Sequence, residues 1–130
     1  MNKIIRKIQY SEKVYRFDVE APLIAKSRKA GNFVIIRVDA NSERMPLTIA
    51  DADIEKGTIT LVVQKVGLSS NKLCNLNEGD EIHDVVGPLG NPTHIENFGT
   101  VLCAGGGVGV APMLPIIKAL KAAGNRGLSV

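Results

Sequence analysis

The spacing of apolar and polar positions changes once along this chain. Up to about residue 97 the apolar residues recur in short alternating runs. Lys3 to Tyr10 alternates around Ile4, Arg6 and Ile8, and Val14 to Val19 alternates again after a Ser-Glu-Lys break, which predicts an opening hairpin. Ala21-Pro22 closes the second run. Phe33 to Val38 is a strongly β-branched strand, and Met45 to Ala50 is a short one whose Pro46 restricts it to an edge, a strand start or a bulge. Thr58 to Val66 reads as the longest strand. Ser69-Ser70-Asn71 then reads as a helix N-cap before a short turn over 72–76, and Glu81 to Val86 as a further strand. The segment Gly87-Pro88-Leu89-Gly90-Asn91-Pro92 reads as irregular.

Six or so short strands at regular spacing predict a closed antiparallel barrel. After Phe98 the pattern differs. An apolar strand, Val101 to Ala104, runs into four glycines between 105 and 109, and a helix is predicted over Pro112 to Ala123 with Gly124 at its end. That order is the opening βα step of a parallel α/β domain. The boundary is expected at 96–99, giving a barrel over 1–97 and an incomplete second domain over 98–130. The chain stops just as another strand begins at 128–130, so it is expected to be an N-terminal piece of something longer.

Composition narrows the function. Of 130 residues, 45% are hydrophobic and 22% charged, enough for an ordinary packed core. The net charge of +3 is scattered apart from Lys26, Arg28 and Lys29, and aromatics are few, so no nucleic-acid stripe or base-stacking platform is expected. Cys74 and Cys103 stand far apart with no ligand-like spacing, which predicts neither a disulfide nor a metal site. No segment has membrane-spanning length and the N-terminus has no long apolar stretch, so a cytoplasmic location is expected. The acidic residues show no catalytic pairing, no nucleophile elbow is present, and His83 and His94 each stand alone.

Three segments carry candidate chemistry. Gly107-Val108-Gly109-Val110-Ala111-Pro112 joins a strand to a helix; glycines there let a ligand approach the backbone, and the helix start offers N–H groups to a phosphate. No Gly-Lys-Ser/Thr follows, which excludes a Walker loop. Read locally, the turn serves either a nucleotide or simple chain reversal. Arg44-Met45-Pro46-Leu47-Thr48, if extended, puts Arg44, Pro46 and Thr48 on one face, with Arg44 and Thr48 about 13 Å apart. Arginine suits a phosphate through its bidentate fork. Gly67-Leu68-Ser69-Ser70-Asn71 offers small residues, hydroxyls and N–H groups at a strand end, as either a second phosphate site or a plain N-cap.

Together and in this order, these segments resemble the ferredoxin–NADP reductase superfamily, across essentially the whole chain. The Gly-x-Gly-x-Ala-Pro turn, the Arg-then-Thr strand motif and Gly87-Pro88-Leu89-Gly90 carry the resemblance. Within the superfamily the wording is most similar to the electron-transfer subunits of dihydroorotate dehydrogenase. It is equally similar to the small subunits of NADH-dependent ferredoxin–NADP oxidoreductase, also called sulfide dehydrogenase beta subunits. Arg44 to Asp51 favours the latter. The resemblance implies a six-stranded Greek-key barrel binding FAD, followed by the first βα unit of a truncated nucleotide domain. Thr48 is implied as the catalytic residue, bonded to the flavin near its reactive nitrogen. Pro46 and Leu47 are implied to line the ring, with Met45 beside them, Arg44 reaching the pyrophosphate by a bulge or another side-chain path, and Val62, Val63 and Gln64 running along the cofactor. Gly67, Ser69 and Ser70 are implied to hold the pyrophosphate, and Gly106, Gly107, Gly109 and Pro112 to receive NAD(P)H. The superfamily's arginine usually stands three residues before the Ser/Thr. Here Met45 occupies that position and Arg44 stands four before.

The implied activity is oxidoreductase chemistry: hydride from NAD(P)H to FAD, with electrons passed to a larger iron–sulfur or flavin partner subunit or to a ferredoxin. A [2Fe-2S] cluster is implied for the full-length parent and not for this chain. The alternatives are a stand-alone flavin or oxygenase reductase, and a non-redox barrel module that binds a partner.

Overall fold

A computed structural model describes residues 2–97, 99–103, 110–124 and 126–129. Two antiparallel sheets and one parallel pair make up its β structure. The first sheet contains β1 (Asn2–Gln9), β2 (Val14–Glu20), β5 (Asp51–Asp53), β6 (Thr58–Gln64) and β7 (Glu81–Ile82), in the order β5-β6-β2-β1-β7. The second contains β3 (Phe33–Arg37), β4 (Met45–Thr48) and β8 (Asp84–Leu89), in the order β4-β3-β8. Two short helices, α1 (Pro22–Ser27) and α2 (Leu68–Cys74), pack beside them. β9 (Thr100–Cys103), α3 (Val110–Ala122) and β10 (Arg126–Ser129) then form a βαβ unit whose strands pair in parallel.

Alternation decides which side of each strand is buried. Phe17 and Val19 of β2, Val34 and Ile36 of β3, and Ile59, Leu61 and Val63 of β6 are at most 1% exposed and form one core with Ile49. Leu73 and Cys74 of α2 and Ile24 and Ala25 of α1 close it. On the outer face of β2, Arg16 and Asp18 pair at 3.1 Å, and Thr60 donates to Asp18 from the neighbouring strand at 2.8 Å.

Several expectations need correction. The alternation expected around Ile4, Arg6 and Ile8 does not persist, because the β1–β2 register shifts between Ile4 and Arg6. Beyond the shift Lys7 pairs with Phe17, and its ammonium bonds the Cys74 carbonyl at 2.7 Å while lying 5.2 Å from the Tyr15 ring centre. α1 was not expected; Pro22 opens it rather than merely ending a strand, since proline fits a first helical position. The Glu81–Val86 strand divides at His83, and Gly87 to Leu89, expected to be irregular, belong to β8. Strand count rises from the expected six to eight across residues 2–89, although only six of them have four or more residues. Pro46 does stand on an edge strand, as its missing N–H requires.

Candidate functional site

The edge strand β4 and the turn between β6 and α2 form the two walls of a cleft of about 410 Å³. β4 contributes Met45, Pro46 and Leu47; β6 contributes Val63 and Gln64; the turn and first helical residues contribute Val66, Gly67, Leu68, Ser69 and Ser70. The cleft therefore gathers eight of the residues expected to bind the cofactor, from segments about twenty residues apart in sequence. Its size falls within the usual range for small-molecule sites.

Local chemistry explains the turn. α2 begins at Leu68 with Gly67 as its N-cap, not at the Ser69-Ser70-Asn71 cap expected from sequence. Ser70 is buried inside the first turn. Its hydroxyl accepts from the N–H groups of Gly67 at 2.9 Å and Val66 at 3.0 Å, and donates to the Gly67 carbonyl at 3.1 Å. It caps the helix backwards, so the hydroxyl is already fully engaged by the protein and holds the shape of the turn. Ser69 lines the cleft.

Gly67 is informative in another way. Its backbone is extended (φ −155°, ψ −178°), a conformation open to any residue, and a Cβ built there meets no atom within 4 Å. Neither backbone strain nor internal packing requires glycine at this position. The space a side chain would take is open, and Gly67 itself lines the cleft. On either side, Val66 and Leu68 are 71% and 76% exposed, an unusual exposure for apolar residues flanking one glycine.

Other expected site residues sit around this cleft. Thr48 ends β4, half-buried and paired in register with Phe33, one residue beyond the cleft lining. Val62 is half-buried on β6, on the opposite face from Leu61 and Val63. Arg44 is exposed just before β4 and does not line the cleft. The segment that carries it is tied to α2, because Lys72 Nζ reaches Ser42 Oγ at 3.4 Å and the Asp39 carboxylate at 3.8 Å. The Ser42 hydroxyl and the Asn41 N–H hold the Asp39 carboxyl below its usual range, keeping that loop anionic at its base. Glu43, Val66 and Leu68 also line the cleft and were missed by sequence reasoning. The two apolar residues carried a signal, since they interrupt an otherwise polar strand end.

Gly106, Gly107 and Gly109 lie outside the described residues. Pro112 is the third residue of α3, which starts two residues earlier than expected. Pro115 therefore lies inside the helix and not in the first turn, where it removes the N–H that would bond Ala111. Its ring is fully buried. Among the described residues no group of three or more His, Cys, Asp or Glu side chains could hold a metal ion, and no helix is long and apolar enough to cross a membrane. Cys74 is buried among apolar neighbours, and burial pushes its thiol up from the usual value, which keeps it protonated and unreactive at neutral pH.

Residues 2–94 match the family described as the oxidoreductase FAD-binding domain. The chain is 49% identical over 125 residues to the dihydroorotate dehydrogenase B electron transfer subunit homolog of Thermotoga maritima, covering 96% of this chain and 44% of that protein. It is 32% identical over 126 residues to the dihydroorotate dehydrogenase B electron transfer subunit of Bacillus caldolyticus, covering 92% and 49% respectively. A chain of the NADH-dependent reduced ferredoxin–NADP oxidoreductase, studied for flavin-based electron bifurcation, superposes with a TM-score of 0.98 at 47% identity over 99% of this chain and 47% of its own. The chain thus spans about half the length of these relatives, or slightly less.

Proposed function

Since the chain belongs to the oxidoreductase FAD-binding domain family, we propose that the cleft between β4 and α2 is its FAD site and that it serves a flavoprotein electron-transfer subunit. The carrying observation is Gly67: a glycine that the protein's own packing does not need, opening onto a cleft that the family predicts to be filled. The chemistry of the walls fits a ligand that is part aromatic and part phosphate. Pro46, Leu47, Val66 and Leu68 offer apolar surface, while Ser69 and the N–H groups of the first α2 turn offer donors. Ser70 holds those donors in place by fixing the turn. Thr48 stands at the end of the same strand as Pro46 and is the residue assigned to hydrogen-bond the reactive edge of the ring.

When bound, FAD supplies the redox chemistry, accepting a hydride from NAD(P)H and releasing electrons singly. The protein's task is to bind, orient and exclude water. The glycine turn at 106–109 is assigned to NAD(P)H, with Pro112 ordering the helix start behind it. In this reading the two antiparallel sheets are the halves of a closed Greek-key barrel. Residues 1–97 form that barrel, and 98–130 begin the nucleotide domain. Relatives named as electron transfer subunits support a larger partner subunit, and we assign it, or a ferredoxin, as the electron acceptor.

The test is a titration of the purified protein with FAD, followed by anaerobic addition of NADH or NADPH. Saturable binding and bleaching of the flavin by one of the two nucleotides is expected. A protein that binds neither FAD nor FMN would point instead to a non-redox binding module.

A further inference from the structure

A second, larger cleft of about 680 Å³ lies where α3 meets the end of α1 and the segment 92–95. Pro115, Lys118 and Ala119, which share one face of α3, form one wall; Arg28, Lys29 and Ala30 form part of the other. One carboxylate bridges the gap. Asp51 Oδ2 accepts from Lys118 Nζ at 2.9 Å, and Oδ1 lies 3.7 Å from Arg28. Asp51 is only three residues from Thr48, and the two residues between them are fixed. Ile49 and Ala50 are buried, the Ile49 N–H donates to the Asn32 carbonyl at 3.1 Å, and the Ala50 N–H donates to the Thr60 carbonyl at 2.9 Å. Thr48 and Asp51 are therefore joined by a short, buried and hydrogen-bonded segment.

We propose that Asp51 is a positioning residue for hydride transfer, holding α3 at a set angle to the strand that carries Thr48. The inference rests on the FAD reading above and adds to it a structural link between the two cofactor sites. Lys118 lies eight residues from the start of α3 at Val110, about 12 Å along the helix axis. A tilt of α3 about that point swings its Val110 end, which directly follows in sequence the residues assigned to NAD(P)H. The pair is partly exposed (Lys118 55%, Asp51 33%), so it adds little to global stability. Its effect is on alignment, to which transfer rates are far more sensitive than folding is.

The experiment uses the full-length, FAD-loaded protein and stopped-flow measurement of flavin reduction by NAD(P)H. Asp51→Asn and Lys118→Met are expected to keep FAD, to lower the melting temperature by at most a few degrees, and to slow hydride transfer roughly fivefold. Nucleotide KM should change little. The double variant should be no slower than either single variant, because both remove the same contact, and Lys118→Arg should restore the rate. Wild-type transfer rates in Asp51→Asn, or losses that multiply in the double variant, would overturn the positioning role alone. If the unsubstituted protein holds no flavin, the FAD reading fails and this role is overturned with it.

Discussion

The two clefts of this molecule are alike in polarity and differ in what crosses them. The one between β4 and α2 has a glycine with nothing in front of it, exposed valine and leucine, and a serine whose hydroxyl is spent on backbone. The one between α1 and α3 is rimmed by Arg28, Lys29 and Lys118 and crossed by an ion pair to Asp51. The first is shaped by what has been left out, and so suits a ligand. The second is crossed by a charged contact between two parts of the chain, and so suits a joint. Cleft size alone would have ranked them the other way.

The sharpest way to break this contrast is to fill the first cleft. Gly67→Val has an allowed backbone and open space for its side chain. It is expected to lower the melting temperature only slightly, the cost of a poorer N-cap, and to weaken FAD binding by about 1–3 kcal/mol, roughly five- to 150-fold, as measured by flavin fluorescence titration. Next in size is Ser70→Ala, which strips the partner from two N–H groups at a buried turn. It should cost about 1 kcal/mol in urea unfolding and weaken FAD binding as the turn loosens. Val66→Ser with Leu68→Ser sharpens the comparison from the other side. Both residues are mostly exposed, so stability should stay within about 0.5 kcal/mol while FAD affinity falls.

The smallest effect belongs to the joint and depends on pH. Burial raises the Asp51 carboxyl, but bonds from Lys118 and the Ala52 N–H, with Arg28 beyond, outweigh it and hold the carboxyl below the usual 3.8. A depressed carboxyl stabilises the fold above its unfolded value and loses that contribution as pH falls through the folded one. Asp51→Asn should therefore be less stable than the parent by about 0.2–1 kcal/mol near neutral pH. The difference should close in acid below that value, as followed by urea unfolding at several pH values.

Much of the first cleft was legible in the sequence because its chemistry is local. Pro46 marks an edge strand, and a Gly-Leu-Ser-Ser turn marks a place where backbone is offered. What stayed hidden came from register and tertiary contact. The bulge after Ile4 that turns Lys7 onto the core face has no sequence marker. α1 has six residues, too few to show helical spacing. Nothing in the sequence marks Asp51 as a joint, because its partners stand 23 residues before it and 67 after it. The start of α3 was misplaced by taking Pro112 as a first helical position, when it stands third.

The most direct test of the account is a paired fluorescence titration of the parent protein and Gly67→Val with FAD, with melting curves recorded on both. The account predicts saturable, one-to-one binding to the parent and strongly weakened binding to a variant that remains folded with only a slightly lower melting temperature. Equal affinity in the two proteins would contradict the placement of FAD between β4 and α2.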